Sequence, residues 1–216
     1  METDETVKTS TNYAIFGYSG HGFVVVDAAI LSGLNQIGYV ESNPVLQNPH
    51  HLPYVGFEKD INFFEKNKEI LFIHGVGENL IRHKIGSFVR ENGGVFVNII
   101  HPKAIVSSLC SFGSGNFVSG SANVNCLAKI GDDCIINTGA IVEHECELGN
   151  TIHIAPGSVL AGNVKVGDRT FIGAGAVVRP GITIGKDVIV GAGAVVVKDI
   201  PDGEIVVGNP AKLLIR

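Results

Sequence analysis

At 216 residues, with 45% hydrophobic and 17% charged side chains, the chain has the composition of a soluble globular protein of one or two domains. A formal charge of −5 with no lysine or arginine cluster argues against a nucleic-acid or anionic-membrane partner. No apolar run approaches the roughly 20 residues of a membrane-spanning helix, and the opening METDETVKTST is polar rather than signal-like, so the expected residence is cytoplasmic.

Residues 1–11 carry no core-forming pattern and read as a disordered tail. Tyr13 to Phe16 form a short apolar strand running into Gly17-Tyr18-Ser19-Gly20-His21-Gly22, with a helix predicted over 23–31. A strand, a glycine-rich loop and a helix offer unpaired N–H groups and a positive helix end to a phosphate. The spacing is GxxGxG rather than the dinucleotide GxGxxG, so a tight turn without a ligand is the competing reading. A second strand over 37–40 ends at Glu41, where mononucleotide-binding folds place an acid that accepts ribose hydroxyls. Residues 42–53 read as a loop, 57–66 as a helix, 70–73 as a strand leading into Gly75-Val76-Gly77, and 78–90 as a helix closed by Asn92-Gly93-Gly94. Strands alternating with helices imply a small parallel sheet, Rossmann-like in type, over residues 12–98.

From there a six-residue beat takes over and defines a second domain, 99–216. Every sixth residue is aliphatic or aromatic: Ile100, Val106, Phe112, Val118, Val124, Ile130, Ile136, Val142, Leu148, Ile154, Leu160, Val166, Ile172, Val178, Ile184, Val190, Val196. Neither a helix nor a simple strand has that period, whereas a parallel β-helix does. Three steps make one triangular turn of eighteen residues, stacked at the ~4.8 Å strand spacing with the aliphatic residues inward. Its two open ends can be capped by the N-terminal domain and the C-terminal tail. Cys110, Cys134 and Cys146 share the small inward position of their steps and read as reduced core residues; Cys126 lies elsewhere on its own step.

Counting by eighteens places side chains. His144 is outward, with Gly162 one turn above and Cys126 one turn below, and Glu145 beside it can fix the imidazole tautomer and raise its basicity. The bland alternative is a solvated surface histidine. His153 lies half a turn away and cannot meet His144 within one prism; if the two cooperate, they do so across an interface between prisms, and otherwise His153 packs at a corner. Gly173-Ala174-Gly175-Ala176 and Gly191-Ala192-Gly193-Ala194 stack to give a nearly side-chain-free strip. A pantetheine arm could lie on such a strip, a second subunit could pack there, or the strip could reflect simple turn economy.

The glycine loop, the segment Val142-Glu143-His144-Glu145-Cys146, the segment Ala161-Gly162-Asn163-Val164-Lys165-Val166-Gly167 and the end Val207-Gly208-Asn209-Pro210-Ala211-Lys212 together resemble the PglD/NeuD-like sugar acetyltransferases of the hexapeptide acyltransferase superfamily. The resemblance covers nearly the whole chain after the tail. It implies a left-handed β-helix, a homotrimer with active sites between subunits, acetyl-CoA as co-substrate and no metal. By the same resemblance His144 matches the catalytic base and Glu145 its supporting carboxylate. His153, Gly162, Ala174, Pro180 and Ala192 match acetyl-CoA contacts; Ser19, Gly20, His21, Glu41 and Gly77 match nucleotide-binding positions, and Asn137 a sugar contact. Tyr18 stands where the family carries a small residue, and Glu41-Ser42 where a relative has two acids.

The function so implied is acetyl transfer to the amine of a nucleotide-linked amino sugar, with a UDP-4-amino-4,6-dideoxy sugar as the expected acceptor. A backbone N–H near Gly162 or His153 is the expected oxyanion donor. O-acetylation of a sialic acid or related sugar is the competitor within the same chemistry. A non-catalytic nucleotide-sugar-binding scaffold is the alternative outside enzymology, and a zinc hydratase like the γ-class carbonic anhydrases would need His101, His144 and His153 to converge on one ion.

Overall fold

The computed structural model describes residues 11–57 and 61–215, so the tail expected over 1–11 lies, apart from Thr11, outside the described residues. The N-terminal domain comprises β1 (Tyr13–Phe16), α1 (Gly20–Leu31), β2 (Ile37–Val40), β3 (Tyr54–Gly56), α2 (Ile61–Lys66), β4 (Leu71–His74), α3 (Asn79–Glu91) and β5 (Val95–Phe96). The five strands make one parallel sheet in the order β3-β2-β1-β4-β5.

Several boundaries differ from the sequence reading: α3 is shifted by one residue, and β3 is a strand the sequence reading did not assign. Helix α1 begins three residues earlier, because Ser19 takes the extended cap conformation and the Phe23 N–H already reaches its carbonyl (3.0 Å). Glycine is required at 22, where a Cβ would overlap the Gly17 carbonyl oxygen; the loop and the helix therefore fold as one tight unit. Strand β4 runs one residue later than expected because the Ile70 N–H closes a turn on Asn67 (3.0 Å) while His74 pairs with Phe16. The helix expected over 57–66 is seen as α2, with 58–60 outside the described residues.

The second domain is a left-handed parallel β-helix of two-residue strands. Its ladders join each residue to the one eighteen places on, as Asn123 with Ile141 and Ile141 with Val159. The first face carries the strands from Ile99–Ile100 through His153–Ile154 to Ile189–Val190. The second runs from Ile105–Val106 to Val195–Val196, and the third from Ser111–Phe112 to Thr183–Ile184. From Val118 to Val196 every inward residue of the six-residue series is at most 5% exposed, and all join one core with Cys134 and Cys146. The four cysteines are free thiols, and burial pushes Cys134 up to about 12.

The corners repeat as strictly as the core. Every sixth residue from Gly115 to Gly193 has positive φ, and the non-glycine members Ser121, Leu127, Asp133, Glu145, Thr151, Asn163, Arg169 and Asp187 lie at 55–62°. At the C-terminal end the repeat shortens: Ile189 pairs with Ile205, sixteen residues on, and Lys212–Leu213 adds an antiparallel strand as a cap. The N-terminal domain does not close the other end. It lies against the first face, burying Ile99, Phe117 and Ile135 among Ile15, Tyr18, Val25 and Val26, and leaves Ile100 36% exposed.

Helix α3 locks the two domains. Arg82, 1% exposed, donates to the carbonyls of Val76 (3.1 Å) and Gly77 (2.9 Å) in its own domain and of Asp133 (2.7 Å), Thr151 (3.2 Å) and Ile152 (3.3 Å) in the prism. Arg90 grips Asp133 through two 2.7 Å bonds, and His74 adds a third at 2.9 Å. Burial opposes ionisation of Asp133, but Arg90 and His74 outweigh it and hold the carboxyl at about 2. Among the described residues no helix is long and apolar enough to cross a membrane.

The uneven burial of the inward series predicts uneven sensitivity. Ile154→Ala should cost about 2–5 kcal/mol by urea unfolding, and Ile100→Ala under about 1 kcal/mol. Equal losses would contradict the open lower end.

Candidate active site

The corner between the second and third faces carries His144. Glu145 occupies the left-handed position of that corner (φ 60°), and its carboxylate lies 3.0 Å from His144 Nδ1. Nδ1 then carries the proton donated to Glu145, and Nε2 is left with a lone pair and no partner among the described residues. Both side chains are over half exposed. The expected space above the ring is there and is filled by the ring itself: a Cβ on Gly162 would stand 2.5 Å from His144 Cε1 and Nε2. Pro180 follows one turn higher on the same corner.

His153 sits elsewhere, on the first face, just above the three residues covered by the N-terminal domain. Its Nδ1–H donates to the Gly77 carbonyl (3.3 Å), so Nε2 accepts from the Asn137 amide (3.1 Å). Its ring lies edge-on to Phe171 (5.1 Å) and 6.3 Å from the ring of His21. Burial and the Arg82 guanidinium push both His21 and His153 down to about 4, with His21 adding to the effect on His153. His21, Gly77, Asn137 and His153 line one cleft of about 690 Å³, walled further up by Leu80, Phe171 and Ile189.

The structure therefore brings together three of the expected substrate-binding residues and one expected acetyl-CoA contact, His153. Ser19, Gly20 and Glu41 stand at the mouth of β1 and β2 beyond the cleft lining; Ser19 caps α1 through its backbone with its hydroxyl uncommitted to the helix. Ala174 and Ala192 occupy the corner between the first and second faces. Gly162 and Pro180 occupy the next corner, across the full width of the second face, so one prism does not join them.

Backbone amides sort the corners. Between the third and first faces, side chains of Asp132, Asn150, Asp168 and Asp202 accept the N–H groups of Ser114, Asp132, Asn150 and Lys186 at 2.6–2.8 Å. The equivalent N–H groups of Gly162, Ala174 and Ala192 have no partner among the described residues. The His153 N–H donates to the Thr170 carbonyl at 3.1 Å, which removes it as an oxyanion donor and leaves Gly162. The three prism histidines do not converge: His101 takes the Lys103 N–H at 3.0 Å on the first corner, far along the chain from the other two positions. Phe171 and Ile189, eighteen and thirty-six residues after His153, were accessible to the same counting but went unmarked. Arg82 had no sequence signal beyond its place on a helix.

Stacked hexads with an outward imidazole–carboxylate pair define a hexapeptide transferase. The bacterial transferase hexapeptide (six repeats) model matches residues 163–198 and the PglD N-terminal domain model residues 12–87. A histidine-to-asparagine variant of perosamine N-acetyltransferase from Caulobacter crescentus, solved with CoA and GDP-perosamine, is 39% identical with a TM-score of 0.89, over 95% of this chain and 97% of that one. The acetyltransferase domain of PglB from Neisseria gonorrhoeae FA1090, solved with acetyl coenzyme A, is 36% identical with a TM-score of 0.88, over 95% and 100%. WeeI from Acinetobacter baumannii AYE is 26% identical with a TM-score of 0.84, also over 95% and 100%. No curated protein matches the chain. The chain belongs to the PglD/NeuD-like branch of the hexapeptide superfamily, the acetyl-CoA-dependent sugar N-acetyltransferases.

The cleft histidines set a stability window. Their folded-state values lie below the ordinary ~6.5, so the unfolded chain takes up protons first and stability falls as pH drops from about 6.5 towards 4. His74, lowered by burial, acts in the same direction. His21 and His153 contribute up to about 3 kcal/mol each. The urea midpoint should fall steadily from pH 7 to about 4.5, and the double variant His21→Gln/His153→Gln should flatten that slope; an unchanged slope would contradict the buried, neutral rings.

Proposed function

We propose that the protein transfers the acetyl group of acetyl-CoA to the amine of a nucleotide-linked amino sugar, with a UDP-4-amino-4,6-dideoxy sugar as acceptor. The observation carrying this reading is the His144–Glu145 pair, which presents an unpartnered Nε2 beneath the bare backbone of Gly162. Nε2 removes the proton from the attacking amine as the C–N bond forms, and Glu145 stabilises the imidazolium. The Gly162 N–H meets the developing oxyanion, the C–S bond breaks, and the CoA thiolate leaves. The cysteines take no part: Cys134 and Cys146 are buried and raised, and no covalent intermediate is needed.

GDP-perosamine in the Caulobacter complexes supports an N-acetyltransferase over an O-acetyltransferase, and makes a GDP-linked sugar the second acceptor to test. We place the nucleotide across Ser19, Gly20, His21, Glu41 and Gly77, and the sugar beside Asn137. Acetyl-CoA runs past His153, Gly162, Ala174, Pro180 and Ala192. Those contacts form one site only where two prisms meet. The outward row of the second face supports that contact: Ile105 is 67% and Val177 41% exposed, with Asn123, Ile141 and Val159 between them and Val195 beyond, whereas the third face presents Lys129, Glu147 and Lys165. The assembly we propose is a homotrimer in the cytoplasm.

A panel of UDP-, GDP- and CMP-amino sugars assayed with acetyl-CoA should show a mass gain of roughly 42 Da with one of the first two. His144→Ala should lower kcat by roughly 10²–10⁴-fold with acetyl-CoA affinity kept. Gly162→Ala should act similarly by displacing the ring. Near-normal turnover in His144→Ala would remove the base from its role. Light scattering should give three times the 22.8 kDa chain mass, and Val177→Lys should reduce both mass and activity.

A further inference from the structure

Tyr18, the residue that departs from the family pattern, is 1% exposed and makes more contacts than a loop residue needs. Its ring stacks on Tyr39 (5.1 Å) and meets the edge of Phe23 (4.9 Å). Its amide donates to Glu41 Oε1 at 2.6 Å, leaving Oε2 without a partner among the described residues. Its hydroxyl lies 3.0 Å from Asn48 Oδ1, 2.8 Å from His50 Nδ1 and 3.2 Å from the His50 N–H, within the 42–53 loop.

Proton counting fixes the donors. Asn48 is held in one orientation by the Leu52 backbone, accepting its N–H (2.9 Å) and donating to its carbonyl (2.8 Å), so Oδ1 faces Tyr18. The single phenolic proton then goes to Asn48, and His50 Nδ1 must donate to the phenol oxygen. His50 Nε2 faces the Asp27 carboxylate of α1 at 2.8 Å, so the ring ties the Tyr18 hydroxyl to that helix. Asp27 is the one charged side chain hydrogen-bonded to the ring among the described residues; Tyr18, with Tyr39 behind it, supplies the other titratable groups, and Phe23 packs alongside at 6.2 Å. Burial raises the Tyr18 phenol and keeps it protonated.

We infer that Tyr18 is the positioning residue for the nucleoside end of the substrate: its amide presents one free oxygen of Glu41, and its hydroxyl fastens the 42–53 loop as the wall beside it. This rests on the nucleotide-sugar reading above, and the chemistry recognised is a nucleoside diphosphate.

Calorimetric titration of the protein with UDP and with GDP tests it. Wild type should bind one of them, and Tyr18→Phe, which keeps the ring, should bind it roughly tenfold more weakly with acetyl-CoA affinity unchanged. His50→Ala, which frees the Tyr18 hydroxyl from α1, should weaken binding in the same direction. Wild type binding neither nucleotide would overturn the nucleotide reading and this inference with it. Binding in wild type that is matched by Tyr18→Phe would overturn the clamp alone.

Discussion

The left-handed residue at every sixth position is the constraint on which the prism depends. Each two-residue strand must turn by about a third of a circle, and the positive-φ residue makes that turn while its N–H reaches the carbonyl one turn below, as Asn163 does to His144 (2.9 Å). Glycine meets the requirement without cost, but eight corners use other residues, each held by the ladders on either side. Glu145 is one of them. Its conformation is the fold's requirement before it is the site's, and it turns the Glu145 carboxylate back onto the ring of its neighbour. The imidazole is thus aimed by the same geometry that closes the turn.

A second constraint is the docking of α3. Arg82 spends its guanidinium on five carbonyls and Asn79, spanning both domains, and burial lowers it only to about 10, so it stays charged near neutrality. A buried cation with every donor committed is a poor source of net stability but a strict one of geometry. It fixes Gly77 against the prism, which in turn fixes the Nδ1 proton of His153 and leaves Nε2 to Asn137. Burial, with the same charge added to it, holds His21 and His153 down to about 4.

Much of this was legible in the sequence because a fixed period converts residue number into position. The inward series, the stacking of Gly162 on His144, the separation of His144 from His153 and the smooth corner at Ala174 and Ala192 all follow from counting by six and eighteen. The N-terminal sheet was legible from its central strands and glycine loop, with errors of one to three residues where capping and turn bonds decided the ends, while the three-residue edge strand β3 is too short to show a pattern. What counting could not supply was the way the domains meet. Nothing in the spacing of Asn79, Arg82, Arg90 and Asp133 says that they join, since their contacts span 43 to 91 residues. For the same reason the N-terminal domain was expected to cap an end of the prism and instead covers a side of it. The left-handed corners were also hidden, because Leu127, Thr151 and Arg169 carry no local preference for that conformation and adopt it through tertiary pairing alone.

The division of the backbone amides links the fold to its chemistry. A triangular turn leaves N–H groups at its corners outside the ladders, and each must find a partner or face solvent. At the corner beneath α3, a column of Asp and Asn side chains accepts these groups from the turn below, so that edge is chemically closed. At the other two corners Gly162, Ala174 and Ala192 have no side chain that reaches back, and their amides have no partner among the described residues. Small side chains there do two things at once: they uncover the N–H groups and let another molecule approach them. The edges so opened flank the apolar second face, while the closed edge carries the domain contact. The choice of corner residue therefore separates the edge that carries the domain contact from the two that keep open amides at Gly162, Ala174 and Ala192.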